Sequence, residues 1–137
     1  MSHLLDTNAV IALLNDRPPM VRQRLRFAIS GGAVVSISSI VLYELWYGVA
    51  RSTRRRENAE RLRIFLNGAI GVLPFEAQDA EIAGDLRGTL EAAGTPIGPY
   101  DLLIAAHALR LGIIVVTATI SEFARVPGLV SEDWTRA

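Results

Sequence analysis

Between Gly112 and Ala118 the chain reads Ile113-Ile114-Val115-Val116-Thr117, five β-branched residues in a row. β-Branched residues fit a pleated, extended backbone. Polar residues do not alternate along the run, so neither face of the strand is set up for water. Strands buried on both faces belong to parallel sheets, where crossover helices cover each side. This one stretch therefore predicts an α/β domain.

The rest of the chain alternates as that prediction requires. His3-Leu4-Leu5, Ala33 to Ser38 and Gly71 to Phe75 read as three more buried strands, with Leu129-Val130-Ser131 as a candidate edge strand. Helical patterns lie between them. The first covers Ala9 to Leu14 behind Asp6-Thr7-Asn8. The second covers Met20 to Ile29, opened by Pro19 and stopped by Gly31-Gly32. The third is capped by Ser39 and runs through Val49. The others cover about Glu57 to Asn67, Ala77 to Ala93, and Asp101 to Leu111, the last ended by Gly112. In the Ala77 to Ala93 helix, Ile82, Leu86 and Leu90 form one stripe, which leaves Asp79, Glu81, Asp85 and Glu91 as its wet face. Ala118 to Phe123 reads as a loop and short turn. With no repeat or linker, residues 1–137 are expected to form a single domain with a three-layer α/β/α architecture around a central, mostly parallel sheet.

Composition narrows the function classes. The formal net charge is zero, so no global field draws the chain to a polyanion, and any such binding needs a local patch. All fourteen basic residues are Arg, which forks bidentately onto carboxylate or phosphate. Cysteine is absent, which excludes disulfides, thiolate zinc sites and cysteine nucleophiles and fits a reducing cytoplasm. No apolar run reaches the ~18 residues of a membrane helix, so a soluble, cytoplasmic protein with no membrane partner is expected.

Three acids stand at places where an α/β fold does chemistry. Asp6 follows the first strand, where it can cap a helix or lie at the carboxyl edge of the sheet. Glu44 sits in the apolar helical run Val41 to Gly48; it either points to solvent or needs a cation or a raised pKa. Asp101 lies in the first turn of the helix after Ile97-Gly98-Pro99, where the helix dipole alone would favour an acid. If the three gather, each pair at ~4 Å repels by roughly 4 kcal/mol at an effective dielectric of ~20. A divalent ion with oxygen ligands relieves that repulsion and can activate a water against a phosphodiester. Arg51-Ser52-Thr53-Arg54-Arg55-Arg56 is the single basic run. It reads either as a solvated helix end that complements the dipole or as a phosphate-contacting patch.

The segments Leu5-Asp6-Thr7-Asn8, Ser38-Ser39, Tyr43-Glu44-Leu45 with Tyr47-Gly48, Ile97 to Asp101, Val116-Thr117, Glu122-Phe123, Val126 to Leu129 and Glu132-Asp133-Trp134 together resemble a VapC-type toxin of the PIN-domain ribonucleases. The resemblance covers essentially the whole chain. It implies a PIN fold, endonucleolytic cleavage of RNA dependent on Mg²⁺ or Mn²⁺, a homodimer, and inhibition by a small cognate antitoxin. Transfer RNA, initiator tRNA included, is a target class it suggests. Asp6, Glu44 and Asp101 match the family's metal-holding and catalytic acids, and Thr7 its hydroxyl beside the metal. Arg87 resembles an arginine often found before the Gly-Pro turn, though a solvent-exposed helix arginine is an equal reading. Arg54, Arg55 and Arg56 are the candidate RNA contacts. The antitoxin is expected in a groove between the early helices, with Val10, Leu13, Leu14, Trp46 and Tyr47 as contributors or as core.

One departure stands out. Where the family commonly reads Thr-Asn-Asn, this chain has Thr117-Ala118-Thr119. Thr119 takes the place of the second Asn and can donate or accept one hydrogen bond. One firmly held ion is expected on that ground. Two other readings stay open: a degenerate PIN domain that binds RNA or protein without cutting, and a structural α/β module whose acids are caps and surface charges.

Overall fold

The computed structural model describes residues 1–136. Five strands form one sheet: β1 (Ser2–Leu5), β2 (Val34–Ser38), β3 (Gly71–Leu73), β4 (Ile114–Val116) and β5 (Ser131–Glu132). Their order is β3-β2-β1-β4-β5, and every neighbouring pair is parallel. The sheet is thus wholly parallel, not mostly so. Strands form where expected, but β3, expected to be buried, is an edge strand with Gly71 and Val72 exposed, and the strand at the other edge starts two residues later than the sequence suggests.

Seven helices connect the strands. They are α1 (Thr7–Asn15), α2 (Pro19–Ser30), α3 (Ser39–Ala50), α4 (Arg55–Leu66), α5 (Ala77–Ala92), α6 (Pro99–Leu111) and α7 (Ile120–Phe123). From β1 the chain steps outward to β2 and β3, then returns to add β4 and β5 on the other side of β1. Right-handed crossovers send connections of opposite direction to opposite faces of a sheet. In keeping with that rule, α1 packs on α2, α3 and α4, while α5 packs on α6. The direction reverses between β1 and β4. Open α/β sheets place their ligands at the carboxyl side of such a point.

Several local expectations are corrected. Ser38, not Ser39, caps α3: its Oγ accepts the Ile40 N–H at 3.1 Å. Ser39 Oγ instead accepts the Phe75 N–H, tying the end of β3 to the start of α3. The last long helix opens at Pro99, two residues before Asp101, because proline suits the first helical position. It ends at Gly112, whose φ of +65° is the left-handed turn that glycine accepts without strain. Ala118 to Phe123 is not all loop, since Ile120–Phe123 is one helical turn.

Asp79 is not on a wet face. It is fully buried, takes the Glu76 N–H at 2.7 Å and is gripped by Arg110 of α6. Burial alone would disfavour its charge, but the bonds from Arg110 and the Glu76 amide win and hold the carboxyl below its ordinary range. His107, also buried, places Nδ1 2.9 Å from Ser38 Oγ and packs edge-on against Phe75. The core itself is apolar and continuous from Leu4, Leu5 and Ile37 through Val115 and Val116 to Ile104 and Phe123.

Candidate active site

Asp6 leaves the end of β1 at the reversal between β1 and β4, its N–H bonded to Val116 O at 3.0 Å. Its Oδ1 accepts the Ala9 N–H at 2.8 Å and so caps α1. The cap and the sheet-edge position are therefore one fact. Asp6 is buried, and burial raises its pKa. The Thr117 hydroxyl and the Ala9 amide oppose that rise, and the charges of Glu44 and Asp133 add to it.

Thr7, next along, donates its hydroxyl to Glu44 Oε1 at 2.6 Å. This bond aims the half-buried Glu44 of α3 toward the end of β1 and removes the choice between solvent and core. Asp101, in the first turn of α6, completes the expected trio. Its carboxyl is pushed up to about 7, by burial first, then by Glu122, Asp6 and Glu44 in turn. The structure therefore brings Asp6, Glu44 and Asp101 into one electrostatic cluster, with Thr7 in it.

A fourth acid belongs to the cluster. Glu122 of α7 accepts the Gly98 N–H through Oε1 at 2.5 Å and lies against Asp101. Gly98 lies close under both carboxylates: a Cβ there would stand 3.2 Å from Glu122 Oε1 and 3.7 Å from Asp101 Oδ2. The turn that delivers Glu122 is too short to show a helical period in the sequence. The Glu122-Phe123 pair at a set distance behind the last core strand was the available signal.

Among the described residues, none of the four acids forms an ion pair with arginine or histidine. Burial first, and then neighbouring carboxylates with no cation beside them, raise the pKa of Asp6 and Asp101, so the site lacks positive charge. The donors are all oxygen, which suits Mg²⁺ or Mn²⁺ over softer ions. As the side chains lie, no three His, Asp or Glu residues among the described residues stand together as a group that could hold a metal ion.

The PIN domain family matches residues 3–129. The chain belongs to the PIN-domain family. Two curated relatives run the full length of this PIN domain. The tRNA(fMet)-specific endonuclease VapC of Salmonella typhimurium is 38% identical over 134 residues, covering 98% of each chain. Ribonuclease VapC2 of Rickettsia felis is 38% identical over 136 residues, covering 99% of this chain and all of that one. Among solved structures, VapBC2 from Rickettsia felis bound to a DNA fragment from its promoter matches with a TM-score of 0.91 at 38% identity, covering 98% of this chain and 99% of that one.

The remaining candidates of this PIN domain divide. Thr119 does not reach the acids directly. Its N–H and hydroxyl both meet Thr117 Oγ1 at 2.9 Å, and the Thr117 hydroxyl serves Asp6. Thr119 is thus one residue removed from Asp6, with Thr117 between them. Arg87 is exposed on α5, paired with Glu91 at 3.0 Å, beside the Pro96 to Pro99 turn and not among the acids. The basic run is not one dipole-complementing helix end. Arg51 caps the end of α3, where a cation helps, but Arg55 and Arg56 open α4, where a cation opposes the dipole. Arg54 pairs with Glu57 at 3.4 Å. Val10 and Leu13 are core, while Leu14, Trp46 and Tyr47 keep exposed surface. No helix of the described residues is long and apolar enough to cross a membrane.

Proposed function

We propose that this PIN domain is the toxin of a toxin–antitoxin pair and an endoribonuclease that hydrolyses RNA phosphodiesters with Mg²⁺ or Mn²⁺. The observation that carries the reading is the convergence of Asp6, Glu44, Asp101 and Glu122, without a cationic partner, at the reversal of strand order. Full-length similarity to proteins named ribonuclease and tRNA-specific endonuclease supports it. Transfer RNA, initiator tRNA included, is the first substrate to test.

Asp6 and Asp101 would hold the ion, with Glu44 and Glu122 beside them. Bound there, a divalent ion supplies Lewis-acid polarisation of the phosphodiester and an acidified water. The chain's own residues prepare the place. Oδ1 of Asp6 is committed to the α1 cap, which locks its rotamer. The Thr7 hydroxyl orients Glu44. The Gly98 amide orients Glu122. The Thr117 hydroxyl, held beside Thr119, favours the ionised form of Asp6. Preorganised groups of this kind need no rearrangement when charge develops on the phosphate.

Asp6→Asn keeps an oxygen for the cap, since Asn caps as well as Asp, and Asp101→Asn removes only the charge. Each should lower metal-dependent RNA cleavage by about a hundredfold or more, the scale for removing one preorganised electrostatic group, with an unchanged circular dichroism spectrum. Retained cleavage in both variants overturns the reading. RNA binding without cleavage by the unaltered chain would place it with the non-cutting domains.

The antitoxin is assigned to the apolar groove of about 240 Å³ between α1, α3 and α4, lined by Ile11, Leu14, Leu45, Val49 and Leu62 and reaching Glu44. A peptide seated there would meet the acidic site at one end. The resemblance to a VapBC complex supports this partnership. Homodimer formation belongs to the same proposal, read as a sedimentation mass of twice 14.9 kDa.

A further inference from the structure

Three tyrosines border the carboxylates on their solvent side. Tyr43 and Tyr47 lie one turn apart on α3 and flank Glu44, and Tyr100 immediately precedes Asp101 in α6. They are 54, 57 and 41% exposed. The rings of Tyr43 and Tyr100 meet between the two helices with centroids 5.8 Å apart, tilted by 47°. The Arg51 guanidinium lies over the Tyr47 ring at 5.6 Å from its centroid. The patch is continuous with the acids, for Tyr43 directly precedes Glu44, Tyr100 directly precedes Asp101, and the two rings meet.

Building on the endoribonuclease reading above, we propose that Tyr43, Tyr47 and Tyr100 form a stacking platform for unpaired RNA bases beside the bond to be cut, so that the substrate enters as a single strand. The charge pattern favours this occupant. Away from the one phosphate that a bound ion would draw in, the acids repel the strand's backbone, and they have no arginine paired with them among the described residues. A handhold next to them has to grip an uncharged part of the strand. Base faces are uncharged, and aromatic rings hold them without regard to sequence. Bases inside a duplex hide those faces. Arg51, at the far end of the patch, offers a cation to a phosphate of the same strand, beyond Tyr47. A second copy of this chain is a poorer occupant. A two-fold contact brings identical patches together, and here it would set Glu44 and Asp101 of each copy against one another.

The test uses the Asp6→Asn protein, which spares the RNA, and a short single-stranded RNA carrying 2-aminopurine. Binding should quench the probe. Tyr43→Ala and Tyr100→Ala, made in that background, should each relieve the quenching and weaken binding about fivefold or more, the lower end of what one stacked base contributes. Tyr43→Phe and Tyr100→Phe should keep both signals. The same RNA annealed to its complement should bind weakly and alike to all variants. Unchanged single-strand affinity in the Ala variants overturns the platform, and so does a change in their sedimentation mass, which would make the rings a contact between copies. The unaltered chain separates the two ideas. If it cuts no RNA with Mg²⁺, both fall. If it cuts while the Ala variants cut with the same KM, the platform alone falls.

Discussion

Asp6 divides its carboxylate between two duties, one oxygen for the start of α1 and the other left free of the backbone. Glu122 does the same between the Gly98 amide and the face of Asp101. These double roles make charge and structure separable by substitution. Glu122→Gln should keep the melting temperature while lowering metal affinity. Glu122→Ala should lower both, since the Gly98 N–H then has no acceptor. Titration calorimetry and thermal unfolding measure the two effects. The pH response of the metal-free protein has a definite sign. A free aspartate ionises near 3.8, while Asp101 in the fold keeps its proton to about 7. Between those values the native chain binds the extra proton, so the Asp101 contribution to stability falls as pH rises across the window and is level on either side. Mg²⁺ should then raise the melting temperature more at about pH 8 than at about pH 5. Equal shifts would contradict it. Asp6, Glu44 and Asp101 were legible because each follows a strand end or a helix start. Glu122 was not, since its placement depends on the Gly98 turn, which is distant in sequence.

At the scale of elements, the helices that carry the acids are joined by a buried polar chain. Ser38 caps α3, His107 of α6 reaches Ser38, and Asp79 of α5 lies 3.7 Å from His107 and is held by Arg110. Burial first, and the nearby Arg110 charge as well, keep the His107 pKa below its usual value despite Asp79. Asp79→Asn would take from Arg110 its closest partner and leave it Glu76 at 4.0 Å. It should cost about 2–3 kcal/mol in urea unfolding, less than for a wholly buried pair, because the Arg110 side chain is 21% exposed. The lowered pKa of Asp79 adds an acid signature. Its stabilisation is complete above the free value of 3.8 and is lost as pH falls through its lower native value. The Asn variant should lose that part of the acid transition. The apolar stripe of α5 was visible in sequence, but this pairing was not, because the arginine that draws Asp79 inward stands 31 residues away. Ser38 and Ser39 show a similar limit. Either hydroxyl could cap α3, and the choice is made by Phe75 and His107, each from another element.

Across the whole molecule, a net charge of zero conceals a division between the acids at the sheet edge and the arginines that open α4. RNA binding should therefore depend on salt through few contacts. Arg55→Ala with Arg56→Ala should lower the slope of log affinity against log salt by somewhat more than one, at about 0.7 per single-stranded phosphate contact. An unchanged slope would remove these residues from the RNA path. The α/β class was legible from one β-branched run. The strand order was not, since nothing local says that β1 lies in the middle. That central place has a consequence in time. A ribosome releases β1 early, yet β1 pairs with β2 and with β4, so its second neighbour arrives only after residue 114 has been made. The four acids span residues 6 to 122 and meet only when both pairings exist. On the proposed site, a nascent chain that has not yet exposed Asp101 and Glu122 would carry only part of the cluster, and cutting would wait until synthesis is nearly over.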